Sequence, residues 1–297
     1  MITDRLNNPL IWAAFLGVFF VCCSANTHAE KAIKWLEMDA PPYHIQQGET
    51  KNQGVVDKIT NLLQQYMPDY QHSERVMNLP RVVEVMRVGQ NVCHGSLYRT
   101  PEREGIAYFS AVPSTMFPPV GITIRQEDFD RFGKKSHVSI KRILSDRIFR
   151  GGISTGRSYG KVLDELLSEF DQTARLERRS GDDIYRGLIN MLILGRVDYV
   201  LGSPMESGYV RHSLGNKWHV VNLMVDEHST YDFGYVACSK TEWGKQVMGD
   251  INRLLLQLRP LDIYKAFFTQ WLDELSQSSF EKAYQQQFLT RGLSVKP

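Results

Sequence analysis

At 297 residues, 42 % of them hydrophobic and 23 % charged, the chain is long enough for two ordinary domains and too apolar to be disordered. Its formal net charge is +2, with acids and bases interleaved through most of its length, so no long-range field favours nucleic acid or an anionic membrane. Binding to nucleic acid is therefore disfavoured.

The first 29 residues read as a cleaved secretory signal. Arg5 supplies the basic start, residues 10–23 form a continuous apolar run, and Thr27 and Ala29 stand where a signal peptidase reads. That run is shorter than the roughly 20 residues of a spanning helix. Cys22 and Cys23 do not follow the Leu-Ala-Gly type of sequence that lipid attachment needs. After cleavage two cysteines remain, Cys93 and Cys238, both in apolar, strand-like surroundings. In an exported chain such a pair is either a disulfide or two small buried thiols.

Residues 31–38 alternate as a first strand, which Pro41-Pro42 ends. Gln53-Gly54 leads into a helix with Val55, Val56, Ile59, Leu62, Leu63 and Tyr66 on one face, closed by Pro68. A strand over 70–76 and a helix opened by Pro80 and stopped by Gly89 follow. The stretch 91–125 is the pivot of the chain: a strand over 91–93, a small-residue turn at Gly95-Ser96, then a proline-marked run into a strand at 120–124, where the chain leaves one lobe for another. Residues 126–141 are charged and belong on the surface. A strand over 148–153 and the turn 154–158 precede a helix carrying Leu163, Leu166, Leu167 and Phe170.

Gly181-Asp182 opens a helix with Ile184, Leu188 and Leu192 inward, Gly195 stops it, and 197–201 is the next strand. The strand 231–239 and three amphipathic helices end the chain. Repeated strand-helix units predict parallel sheets with helices on both faces. With crossovers at 113–119 and 222–227, two lobes are expected, one from 30–119 with 222–297 and one from 120–221. The cleft between them is the natural ligand site.

Four motifs, Arg99-Thr100-Pro101-Glu102-Arg103, Phe109-Ser110, Gly156-Arg157-Ser158-Tyr159 and Leu194-Gly195-Arg196-Val197-Asp198-Tyr199-Val200, resemble in order and spacing the type II periplasmic solute-binding proteins. The similar branch is extracellular solute-binding family 3, which binds polar amino acids. The resemblance covers nearly all of the mature chain. It implies an α/β, two-lobed fold, each lobe a mixed, mainly parallel sheet flanked by helices. It also implies a periplasmic, non-enzymatic monomer without cofactor. That protein closes on a small polar or carboxylate-bearing, amino-acid-like ligand and serves a membrane transporter or a sensor receptor.

By the same resemblance, Arg103 pairs with the ligand's carboxylate, for which a guanidinium fork is suited; the plainer reading is a surface Arg paired with Glu102 or Glu104. Ser96 and Tyr98 fall where the first lobe touches the ligand, although Tyr98 also suits a core. Thr155, Arg157 and Ser158 precede a helix whose N–H groups suit a carboxylate, or the turn is an ordinary cap. Two positions depart from the family. Ser203 stands where an acid usually meets the ligand's ammonium, leaving Glu206 or Glu37 to supply charge, and Tyr43 is the nearest aromatic to the usual covering ring. Asp198 reads as structural.

A second class of function rests on Gly152-Ile153-Ser154-Thr155-Gly156, which matches the G-x-S-x-G elbow of serine hydrolases. His94-Gly95 would be its oxyanion loop, and His212, His219 or His228 its base. No metal site is expected, because no two histidines have helix-face spacing and no Cys-x-x-Cys occurs. Gly160-Lys161 is followed by Val162, which excludes a phosphate loop.

Overall fold

In the computed structural model, which describes residues 31–180, 183–215 and 219–293, the first apolar run becomes β1 (Ala32–Glu37), with Ile33, Trp35 and Leu36 fully buried. The leader expected over 1–29, with Cys22 and Cys23, and the helix start at Gly181-Asp182 lie outside the described residues. The stripe Val55, Val56, Ile59, Leu62 and Leu63 makes the buried face of α1 (Val55–Gln65). β2 (Gln71–Val76) runs parallel to β1 as an exposed edge, and α2 (Leu79–Arg87) starts from the Asn78 side chain, which accepts the Arg81 N–H.

β3 (Val92–Tyr98) is longer than the pattern predicts. The chain does not turn at Gly95-Ser96 but stays extended and buried through Leu97. A side chain at 95 would lie 2.6 Å from Thr60 Oγ1 and 2.7 Å from Val56 Cγ1, so this glycine serves the close approach of α1 to the strand. The short α3 (Pro101–Glu104), β4 (Ala107–Phe109) and β5 (Thr115–Phe117) follow.

The chain then builds a second sheet. Its elements are β6 (Gly121–Arg125), β7 (His137–Val138), α4 (Ile140–Asp146), β8 (Arg150–Ser154), α5 (Lys161–Glu169), β9 (Arg175–Arg179), α6 (Ile184–Ile193), β10 (Tyr199–Gly202), α7 (Pro204–Ser213) and β11 (Val220–Val225), with strand order β7-β11-β6-β10-β8-β9. β9 escapes a periodicity reading because Arg-Leu-Glu-Arg-Arg lacks apolar alternation. β11 moves the return point of the chain. Residues 220–224 pair antiparallel with β6, so the crossover expected to start at 222 begins only after Val225.

β12 (Asp232–Ser239) re-enters the first sheet, antiparallel to β3, β4 and β5. That sheet has the order β2-β1-β3-β12-β4, with β5 also on β12. α8 (Glu242–Leu258), α9 (Asp262–Thr269) and α10 (Glu274–Ala283) complete the described chain, apart from a π-turn over Tyr284–Phe288. Each sheet is mixed and flanked by helices, as expected. Each is also mainly parallel: in both sheets five of the six strands point the same way, and β12 in one and β6 in the other run antiparallel to every strand they pair with. Those are the strands next to the crossovers.

The first lobe's core is aromatic, with Trp35, Tyr264, Phe268, Phe280, Tyr284 and Phe288 in one buried cluster. Arg259 is only 2 % exposed. Its guanidinium donates to the carbonyls of Pro113 (3.1 Å), Phe288 (3.1 Å) and Leu289 (3.2 Å), so the negative end of the last helical turn takes the place of a carboxylate.

Cys93 and Cys238 are disulfide-bonded across the β3–β12 pair, 145 residues apart in sequence. A cross-link over so long a loop removes much freedom from the unfolded chain. Replacing both cysteines by Ala is expected to lower unfolding stability by about 2–5 kcal/mol, read as an earlier midpoint in denaturant, with a steeper slope because the unfolded chain expands. An unaltered midpoint would show that the bond adds nothing to the packing of those two strands.

Candidate functional site

Several of the groups singled out in the sequence lie near one another, with Tyr43 feeling the charge or hydrogen bonding of Glu206, Tyr98, Ser203 and Arg157. On the first lobe the C-terminal half of β3 supplies Ser96 and Tyr98. The Ser96 hydroxyl is bonded to that of Thr115, and its N–H donates to His94 Nδ1 at 3.0 Å. The Tyr98 ring is 47 % exposed, so it is not core. It tilts against Phe117 with centroids 5.1 Å apart, and Phe117 meets Tyr43 edge-on at 4.8 Å. Arg103 is half-buried on α3, whose start is capped by Thr100 Oγ1 accepting the Arg103 N–H at 3.3 Å. Its guanidinium donates through Nη1 to the Tyr98 carbonyl at 3.0 Å, and among the described residues it makes no ion pair with Glu102, Glu104 or any other acid. Arg87 meets Glu102, and Arg99 meets Glu104.

Glu37 does not line the cleft as a free charge. It is 4 % exposed, with Oε2 at 2.6 Å from His44 Nδ1, which also lies 3.3 Å from Asp57 Oδ1. Asp57 Oδ2 in turn accepts the N–H groups of Ile45 (2.9 Å) and Gly54 (3.0 Å). Burial opposes a charge on His44, but the Asp57 and Glu37 carboxylates outweigh it and raise the imidazole to about 9. Burial raises Glu37, against the pull of His44. Glu37, His44 and Asp57 also offer three ligand atoms within 4.8 Å of one another, the one such metal-capable group among the described residues. A proton on His44 supplies the positive charge this group needs.

On the second lobe, Arg157 and Glu206 form a two-pronged pair, Nη1 to Oε1 at 2.7 Å and Nη2 to Oε2 at 2.9 Å. Glu206 Oε2 also accepts the Ser203 N–H at 2.9 Å. Ser203 accepts the Met205 N–H at 3.3 Å, so the two residues make a reciprocal cap on α7, with Pro204 at its first position. The Ser203-x-x-Glu206 spacing is a readable helix-start signature, and it was the signal for α7 that periodicity alone did not supply. The expected anion turn is partly self-satisfied. Thr155 donates its N–H to the Arg179 carbonyl (2.8 Å), and Asp164 accepts the Ser158 hydroxyl and the Tyr159 N–H (2.8 Å). The helix α5 itself starts only at Lys161, beyond Gly160.

Contacts across the lobes hold these walls together. The Tyr43 hydroxyl reaches Met205 Sδ at 3.4 Å, and the same ring is close enough to Ser203, Glu206 and Arg157 to feel their charge and hydrogen bonding. Behind it, Asp273 accepts from the Asn222 N–H at 3.2 Å and from its amide. A side chain at Gly208 would lie 1.9 Å from the Trp271 carbonyl oxygen, so α7 rests directly on the first lobe's C-terminal section. Thr115, Phe117, Met205, His44 and Asp57 belong to this region without any sequence motif to mark them.

The hydrolase reading finds no catalytic geometry. Ser154 is the last residue of β8, its N–H donates to the Tyr159 hydroxyl at 2.7 Å, and no hydrogen bond joins its hydroxyl to an imidazole among the described residues. His94 sits in the first lobe, His212 packs on Trp271, and His228 lies beside Gly160.

No protein-family model matches the chain, and no curated protein does. Solved structures do. The chain is similar to a probable amino-acid ABC transporter extracellular-binding protein from Bacillus subtilis, at 17 % identity and TM-score 0.60, covering 82 % of this chain and 98 % of that one. It is also similar to an ancestral cationic amino acid solute-binding protein (14 %, TM-score 0.62, 82 % and 96 %). A third is a histidine kinase sensor domain with similarity to periplasmic binding proteins (15 %, TM-score 0.51, 82 % and 96 %). The fold is thus that of the two-lobed periplasmic binding proteins, present over nearly its whole length.

The buried His44 makes stability depend on pH in a stated direction. Its folded value is raised above the ordinary 6.5, so its contribution is complete below 6.5 and is lost as pH rises through about 9. Unfolding free energy is therefore expected to decline across that window in urea titrations, and His44→Gln to flatten the decline. An equal slope in the variant would remove His44 as its source.

Proposed function

We propose that this is an exported solute-binding protein that closes on a small carboxylate-bearing ligand outside the cytoplasm, for uptake or for sensing. Export is supported by the leader-like first 29 residues and by a disulfide, which fits an oxidising compartment. The observation that carries the ligand class is Arg103. It is a half-buried guanidinium bonded to the Tyr98 carbonyl that makes no ion pair among the described residues, while Arg157 is paired with Glu206 and Glu37 with His44. Binding rather than catalysis is the reading favoured by the absence, among the described residues, of a hydrogen bond between the Ser154 hydroxyl and an imidazole.

Closure works by population shift. A ligand that touches Arg103 on one lobe and the Arg157–Ser158 turn or the Ser203 helix start on the other favours the closed state by contacts it makes only there. Tyr43, already against Met205, becomes part of the cover. The solved relatives include a transporter component and a sensor domain, and either use needs only a cleft that shuts. A membrane transporter or a sensor receptor is the corresponding partner, and the protein acts as a monomer.

A thermal-shift screen with amino acids, dicarboxylates and small peptides identifies the ligand, because binding to the native state raises Tm. For the ligand found, Arg103→Ala is expected to cost about 2–5 kcal/mol of binding in calorimetry. Unchanged affinity would reject Arg103 as the carboxylate partner.

A further inference from the structure

Resting on the solute-binding reading above, we propose that the ligand of this cleft is a carboxylate without an ammonium group, carried on an uncharged aromatic body. A buried ammonium needs an acid that is free to meet it. Glu206 gives both oxygens to Arg157, at 2.7 and 2.9 Å, and one of them also to the Ser203 N–H. Glu37 is buried against His44 at 2.6 Å. Position 203 is a serine whose hydroxyl already caps its own helix, and it carries no charge. Asp232, which Tyr98 senses, is exposed at the start of β12, so an ammonium held there would stay in water and gain little. An ammonium drawn into the cleft would lose its hydration without a carboxylate to replace it, beside the two guanidinium groups of Arg103 and Arg157. A carboxylate meets the opposite situation, because Arg103 makes no ion pair among the described residues.

The rest of the wall suits a ring. Tyr43, Phe117 and Tyr98 form a continuous aromatic group, at 4.8 and 5.1 Å between centroids. The Tyr98 ring keeps 47 % exposure, which leaves an apolar face for a planar guest in an offset or edge contact. The nearby hydroxyls of Ser96 and Thr115 bond each other, which leaves one O–H between them for a ligand oxygen.

The test uses a matched pair, 3-phenylpropanoate and L-phenylalanine, which differ only in the α-ammonium. Calorimetry and thermal shift on the purified protein should show 3-phenylpropanoate binding about tenfold or more tightly than L-phenylalanine. Ser203→Asp, which keeps a good cap on α7, should narrow or reverse that ratio. Equal or tighter binding of L-phenylalanine by the unaltered protein overturns the inference, as does binding of neither compound. A Ser203→Asp protein with the original ratio overturns the role given to position 203. If other amino acids bind and lose affinity with Arg103→Ala, the solute-binding reading stands while this inference falls. If no compound in either panel binds, both fall.

Discussion

The architecture depends on one strand. β12 is the last strand to form in sequence, yet it sits between β3 and β4 and also carries β5. Its residues Val236, Ala237 and Cys238 are fully buried. Without it the first sheet would be a short parallel fragment of β1, β2 and β3 with an open edge inside the core. Its placement obliges the chain to leave the first lobe, build the second, and return. The Cys93–Cys238 bond ties this long-range pairing at one point, and the Ser110 hydroxyl, bridging from the Val236 N–H (3.1 Å) to the Val112 carbonyl (2.7 Å), ties it at another.

The return has a second anchor in the C-terminal section. Arg259 gathers carbonyls from Pro113, just before the outward crossover, and from Phe288 and Leu289 near the end of the described chain. Tyr264 adds a bond to the Ser114 carbonyl at 2.7 Å. A buried guanidinium with no carboxylate is tolerable only if several oriented carbonyls replace its water, and that need brings three distant segments together. Asp273, bonding Asn222 in β11, connects the same section to the second sheet. The lobes are therefore joined by packed, polar contacts through this section.

At the cleft the fold says little about the guest, since transporter components and a sensor domain share it. Charge pairing says more. The second lobe presents Arg157 and Glu206 as a complete ion pair, and the first lobe buries Glu37 and Asp57 around His44. On the proposed reading, Arg103 and the aromatic group of Tyr43, Phe117 and Tyr98 carry recognition. The same fold with an acid at position 203 would present a different cleft.

The sequence by itself determined the local elements whose cause is local. Apolar spacing fixed α1, α5 and α6, and Pro and Gly marked most of their ends. The order of strand-helix units, with the family resemblance, was enough for two α/β lobes. It could not fix β3 past Gly95, because a glycine chosen for a helix leaning on it looks like a glycine chosen for a turn. It could not show β9, whose five residues have no apolar alternation, or assign β11 to its sheet, since pairing partners lie about a hundred residues away. Charges were hardest of all. Glu37, Glu206 and Arg157 read as available groups in one dimension, and only their distances of less than 3 Å to His44 and to each other showed them spent within the protein. An ion pair forms between side chains brought together by folding, so the tertiary structure alone decided which of these charges are paired within the protein.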